Sequence, residues 1–360
     1  MRKENQYILE LCKFLNPDKD KLETLMNGPL DYPYILGQLL YNRMGAVGYY
    51  TLKQCNLLGQ VNREFRNTLK AMVEVGAEKT NSLIQSLAEL KPVFQGTSFP
   101  YTLLKGAYLA NLYPEGLRTS NDIDVLVCQK DITQLSDALK RNGFQQGNIR
   151  SGNFVPATRA EIVSSRMNRG ETIPFVKKVD LPKMEYLELD INFSLDFKAT
   201  GNMNVVDSFL KHAEPLIQNT ILTLSPVDFL IHLCVHLFKE ATVINWVNMG
   251  RDLSLYKFCD IYLFVNQFMD ENFCRKLIDA IVAYGLQKEC YYALYHTKML
   301  FHIDSRFLNE ILSAVQPCKI SFMKQIIDPQ NNKIYAYDSE ITEWIFCSNR
   351  KENIYEITNA

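Results

Sequence analysis

Residues 122–128, DIDVLVC, put two carboxylates one residue apart at the head of an apolar run. A strand sends residues i and i+2 to the same face. Asp122 and Asp124 therefore share one side, and Ile123, Val125 and Val127 take the other. Farther along, residues 186–195 (YLELDINFSL) repeat the arrangement, with Glu188, Asp190 and Asn192 on a common face. If the two strands are neighbours, three or four carboxylates converge. At ~4 Å separation and an effective dielectric near ~20, each like-charged pair repels by ~4 kcal/mol. Divalent cations offset that repulsion, and Mg²⁺ takes a few carboxylates together with phosphate oxygens of a substrate. The plain alternative is an acidic pair that is solvated and idle.

The neighbourhood favours the first reading. Residues 101–104 (YTLL) have the character of a short strand and residues 106–113 (GAYLANLY) of a helix, joined through Lys105 and Gly106. A strand–turn–helix of this kind turns backbone N–H groups and a lysine toward a bound phosphate. In phosphatases of the haloacid-dehalogenase type and in sugar-nucleotide glycosyltransferases, the apolar strand precedes the D-x-D. Here RTSN precedes it and the apolar run begins with the motif, which favours another class of metal-using enzyme.

The rest of the chain supplies context. Apolar residues recur three and four apart through residues 1–95, as in NREFRNTLKAMVEVGAEKTNSLIQSLAEL, so that region is expected to be helical, with Pro92 closing the run. A helix is expected over 131–143, ended by Gly143. Residues 145–183 are polar, carry Pro156, Pro174 and Pro182, and are expected to form loops and a ribbon inserted into the core. Ser225, Pro226 and Asp228 combine a cap, a first-turn proline and an acid three residues on, announcing a helix over 227–241. Further helices are expected over 252–268, 271–285, 288–301 and 304–315. The expected organisation is an N-terminal helical region over 1–95, a core over 96–200 and a C-terminal helical region over 201–360.

The 39 basic and 40 acidic residues balance, so no global field draws the chain onto nucleic acid or an anionic membrane. No apolar stretch approaches the ~18 residues of a membrane span. The nine cysteines show no C-x-x-C spacing, as expected of thiols in a reducing, cytoplasmic setting. Walker A, Rossmann and G-x-S-x-G patterns do not occur.

Residues 103–127, LLKGAYLANLYPEGLRTSNDIDVLV, resemble the signature of the DNA polymerase β-like nucleotidyltransferases, and within them the bacterial nucleotidyltransferase family 5. The resemblance extends over about residues 65–270. It implies an α+β fold, with a small mixed β-sheet core flanked here by N- and C-terminal helical regions. It also implies metal-binding aspartates at Asp122 and Asp124 and a third carboxylate at Asp190, with Asn192 where relatives often carry His. Lys105, Gly106, Arg118 and Ser120 correspond to the nucleotide-binding turn and the segment ahead of the acids. The wider superfamily has a Gly-Ser turn where this chain has Lys-Gly-Ala, so Lys105 is expected to supply the charge that faces the phosphates. The implied reaction transfers a nucleoside monophosphate from an NTP to a hydroxyl of an unidentified acceptor, with two Mg²⁺ or Mn²⁺ ions. The acceptor classes are a small molecule, a peptide or protein, and an RNA end, with no membrane partner and no stable nucleic-acid complex. The alternatives are a silent nucleotide-binding protein of the same fold and, against the strand placement, a glycosyltransferase.

Weaker signals remain. His232, His236 and Glu240 fall on one helical face at i, i+4 and i+8. Packing and hydrogen bonding are the ordinary reading of such histidines, zinc is a minor one, and the resemblance points His236 toward the active cleft along with Glu188 and Asn192. Asp260 falls in a segment that also resembles the family. The basic residues Arg150, Arg159, Arg166, Arg169, Lys177, Lys178 and Lys183 could guide a polyanionic acceptor such as RNA, but they are interleaved with Glu161, Glu171 and Asp180, as in an ordinary solvated face.

Overall fold

Strand β1 (Tyr101–Leu103) and strand β2 (Asp122–Val127) pair antiparallel at the centre of a mixed sheet. Their remaining sheet partners are β3 (Gln145–Arg150), β4 (Asn153–Pro156), β5 (Phe175–Leu181), β6 (Met184–Asn192), β7 (Glu214–Pro215) and β8 (Leu222–Thr223). The order is β4-β3-β5-β6-β2-β1-β8-β7. Two pairings are parallel, β2 with β6 and β1 with β8, and the others are antiparallel, so the sheet is mixed. Alternation sets the core. Ile123 and Val125 of β2 and Leu187, Leu189 and Ile191 of β6 are buried against the helical layer. The helix Ile132–Arg141 contributes Ile132, Leu135, Ala138 and Leu139 as its buried stripe.

The computed structural model describes residues 1–120, 122–168, 170–195, 203–216 and 221–357. Their contacts divide into one unit over Val73–Phe229, which holds the mixed sheet, and a second formed by Met1–Met72 with Leu230–Ala360. The second unit is mostly helical. In its first segment, Asp18 and Asp31 cap the helices Lys19–Met26 and Tyr32–Tyr41 through their side chains. In its second segment are the helices Leu255–Gln267, Glu271–Tyr284, Gln287–Phe301 and Arg306–Val315, close to the expected bounds. A small antiparallel sheet, β9 (Gln325–Asp328), β10 (Lys333–Ala336) and β11 (Tyr355–Ile357), stands in what the sequence suggested was a helical region. No described helix is long and apolar enough to cross a membrane.

Two local expectations need correcting. Pro92 does not close the N-terminal run: the long helix ends at Ser86, a 3₁₀ turn follows, and Pro92 sits in the first turn of a separate helix, Lys91–Phe94. That position lacks an intrahelical N–H partner in any case, so proline is tolerated there. The inserted region contains the expected ribbon, β3–β4, and also a helix, Arg159–Asn168.

Candidate active site

Strands β2 and β6 pair in parallel with Asp122 opposite Glu188 and Asp124 opposite Asp190. Leu126 lies opposite Asn192. Residues in register across a parallel pair point to the same face, so the two acidic stripes form one carboxylate surface. Its reverse side is the buried aliphatic layer, which fixes the register: a one-residue slip would bury the carboxylates and expose the aliphatics.

The side chains are engaged locally. Asn192 Nδ2 donates to Asp124 Oδ1 at 3.0 Å, and Lys105 Nζ lies 3.9 Å from Asp124 Oδ2. Ser120 Oγ donates to Asp122 Oδ1 at 2.8 Å. Burial raises the Asp124 carboxyl, and the Asp122 charge adds to that, while Lys105 and the Asn192 amide pull it back. Asp190 is pushed up to about 9, first by burial and then by the charges of Asp124, Glu171, Asp122 and Glu188. Glu188 is raised by burial and by Asp122. These carboxylates are crowded, and a positive charge brought among them is favoured.

Lys105 and Gly106 stand at the end of β1, against the entry to β2. Leu104 N donates to Asp124 O at 2.9 Å, tying the turn to the acidic strand. A Cβ on Gly106 would lie 2.8 Å from both Cβ and Oγ of Ser120, so only glycine lets the turn approach so closely. Lys105 has φ +20° and ψ −87°, outside the regions that residues with a Cβ ordinarily adopt. Strain of that kind concentrates at ligand clamps. The helix that follows, Gly106–Leu112, is seven residues long, and Lys105 is its N-cap residue. Arg118 Nη1 donates to Thr119 O at 2.6 Å, and Thr80 Oγ1 donates to the Arg118 carbonyl at 3.3 Å.

Hard carboxylate oxygens in mutual repulsion match a divalent cation in donor chemistry and charge. In orientation they are not collected: among the described residues no three His, Cys, Asp or Glu side chains are arranged to hold an ion.

The remaining candidates have partners within their own elements and neighbours. His236 belongs to the helical unit, with Nδ1 3.1 Å from Glu240 Oε2; Lys257 Nζ is 2.7 Å from the same oxygen. The His232 and His236 rings are 6.1 Å apart, and Asp260 is buried one turn beyond Lys257. Much of the basic segment is locally paired: Lys177 with Glu89 at 2.6 Å, Lys178 with Glu185 at 3.7 Å, Lys183 with Glu78 at 4.0 Å and Arg150 with Glu161 at 3.9 Å. Arg169 lies outside the described residues. One residue that sequence reasoning passed over does join the site: Glu171, whose charge acts on both Asp124 and Asp190. Nothing in its local pattern gave it away, since a polar run without alternation hides a strand extension.

No curated protein and no solved structure matches the chain significantly. A family model described as an uncharacterised nucleotidyltransferase matches residues 30–302, well over half of the chain and the whole of the carboxylate surface. The match contains the stretch of about residues 65–270 over which the sequence resembles the family, and runs beyond it on both sides. The chain belongs to this nucleotidyltransferase family.

Proposed function

We propose that the protein is a metal-dependent nucleotidyltransferase that moves a nucleoside monophosphate from an NTP to an acceptor hydroxyl. The observation that carries this reading is the register of β2 on β6, with Asp124 opposite Asp190 and Asp122 opposite Glu188. Divalent cations held by Asp122, Asp124 and Asp190, two per site as in the family pattern, would neutralise the triphosphate and acidify the acceptor hydroxyl. Lys105, at the end of β1, binds phosphate oxygens, and Gly106 lets the turn close on them. Ser120 and Arg118 flank the same entrance. The acceptor oxygen forms a bond to the α-phosphorus as the bond from that phosphorus to the α–β bridging oxygen breaks. Pyrophosphate leaves with the electron pair, and Asp190 in its ionised form takes the acceptor's proton.

A second reading is a silent nucleotide-binding protein of the same fold. What favours it is the engagement of Asp122 by Ser120 and of Asp124 by Lys105 and Asn192, together with the absence, among the described residues, of any three acids gathered to hold an ion. Incubation with each α-labelled NTP, Mg²⁺ or Mn²⁺ and a cell extract as acceptor source decides between them. Label transfer and pyrophosphate release by wild type, absent from Asp124→Asn, support the enzyme. Metal-dependent NTP binding without either product supports the silent binder.

A further inference from the structure

The carboxylate surface has a further member on its outer side. Beyond a one-residue bulge, the segment 170–172 continues along the edge of β6 that β5 occupies. Thr172 N donates to Ile191 O at 2.9 Å, Phe193 N donates to Gly170 O at 2.9 Å, and Glu171 forms an antiparallel bridge with Asn192. Residues directly opposite in an antiparallel pair point to one face, with Cβ atoms ~4.5–5.5 Å apart. Asn192 shares its face with Asp190 by alternation, and its amide reaches Asp124 at 3.0 Å. The row across the sheet therefore runs Glu171, Asn192 and Asp190, then Asp124, then Lys105. Backbone pairing sets the order from Glu171 to Asp124, and the contact of Lys105 Nζ with Asp124 Oδ2 adds the last member.

We infer that Glu171 is a fourth acid of the cation site, a positioning residue that strengthens divalent-cation binding from the far side of Asn192. The inference rests on the proposed reading that Asp124 and Asp190 hold a cation. Glu171 acts through its field: a single carboxylate at the ~7 Å of a diagonal cross-strand neighbour attracts a divalent ion appreciably even when partly screened.

The test is Mn²⁺ binding to the full chain without nucleotide, read from the electron paramagnetic resonance signal of unbound Mn²⁺. Wild type, Glu171→Gln, Glu171→Asp, Glu185→Gln and Asp124→Asn are compared, each checked by a thermal melt. Glu185 sits on the same strand but on the opposite face, so its replacement controls for net charge. The inference expects Glu171→Gln to bind about tenfold more weakly, Glu171→Asp to retain most of the affinity and Glu185→Gln to stay within about twofold of wild type. Equal affinity for Glu171→Gln and Glu185→Gln, with Asp124→Asn deficient, overturns the inference and leaves the proposed function standing. A wild type that binds no Mn²⁺, or an Asp124→Asn protein that binds like wild type, overturns both. Should Glu171→Gln fail to fold, Glu171→Ala takes its place: Mn²⁺ binding weakened beyond that of Glu185→Gln supports the inference, and affinity equal to that of Glu185→Gln overturns it.

Discussion

Two regions gather charge out of full solvent, and they treat it in opposite ways. In the helical unit, Asp252 and Arg350 are almost wholly buried, with Arg350 Nε 2.7 Å from Asp252 Oδ2 and Nη2 2.8 Å from Oδ1. Arg350 Nη1 also donates to the carbonyls of Cys347 and Ile345 at 3.1 and 3.2 Å. Burial alone would lower the Arg350 pKa, but the Asp252 hydrogen bond and charge outweigh it and the net shift is upward. Lys257 is treated similarly, held by Glu240 and by the carbonyls of Arg251 and Asp252 at 2.9 Å each. On the face of β2 and β6, by contrast, acids meet acids, and Lys105 Nζ stands 3.9 Å from Asp124 Oδ2. Where each buried charge has its counter-charge and its hydrogen bonds, the arrangement holds the fold. Where register stacks like charges, the fold is stable in spite of them, and the surplus is available for a ligand.

The largest contrast should come from removing one charge in each place. Asp124→Asn is expected to lower label transfer roughly a thousandfold or more, since each such group acts on transition-state charge. Its melting temperature should hold or rise, because one source of repulsion has gone. Arg350→Met should do the reverse, costing about 3–5 kcal/mol in denaturant unfolding by stranding Asp252 in the interior, with Mn²⁺ affinity per folded molecule unchanged. A comparable loss of stability in Asp124→Asn would break the comparison.

A smaller effect is expected in pH dependence. The folded-state pKa of Asp190 lies above its unfolded value, pushed up to about 9. Its contribution is therefore fully present below the ordinary carboxylate range and is lost as pH rises through about 9. Melting of the metal-free protein between pH 5 and pH 9 should show wild type losing stability relative to Asp190→Asn as pH rises. Parallel curves for the two proteins would remove Asp190 from the set of strained acids. Smallest of all is Lys105→Met. A partly exposed ion pair at 3.9 Å contributes under about 1 kcal/mol, so stability should barely move while the KM for NTP rises severalfold.

Much of this was legible from residue order, and what was not has physical causes. The alternation in DIDVLV and YLELDIN marked which residues share a face, because a strand with one aliphatic side leaves no choice of register. The same holds for the later helices, whose apolar stripes and end signals at Asp270 and Ser305 are local. That β2 and β6 are neighbours is a long-range fact, approachable from sequence only as a condition or through the family resemblance. The helix Arg159–Asn168 was readable and was passed over: Thr158 and Glu161 form a capping box, with Thr158 N donating to Glu161 Oε2 at 2.8 Å. The basic residues around it drew attention to charge instead of to the cap. Strands β9 and β10 are four residues each, too short to establish a period, although Asp328 accepting from the backbone of Gln330 and Asn331 is the turn that Asp-Pro-Gln-Asn announces. Glu171 had no local signal at all, since a bulge and a bridge are made by two segments together.

The most direct test of the central claim is equilibrium binding of a non-hydrolysable NTP analogue, with and without Mg²⁺, by wild type and by Asp124→Asn. Because the crowded acids of β2 and β6 are held to be a cation-dependent nucleotide site, wild type should bind in the presence of Mg²⁺, bind at least tenfold more weakly without it, and lose that dependence in Asp124→Asn. Equal binding by both proteins, or binding indifferent to Mg²⁺, would contradict the claim and return these carboxylates to an idle surface.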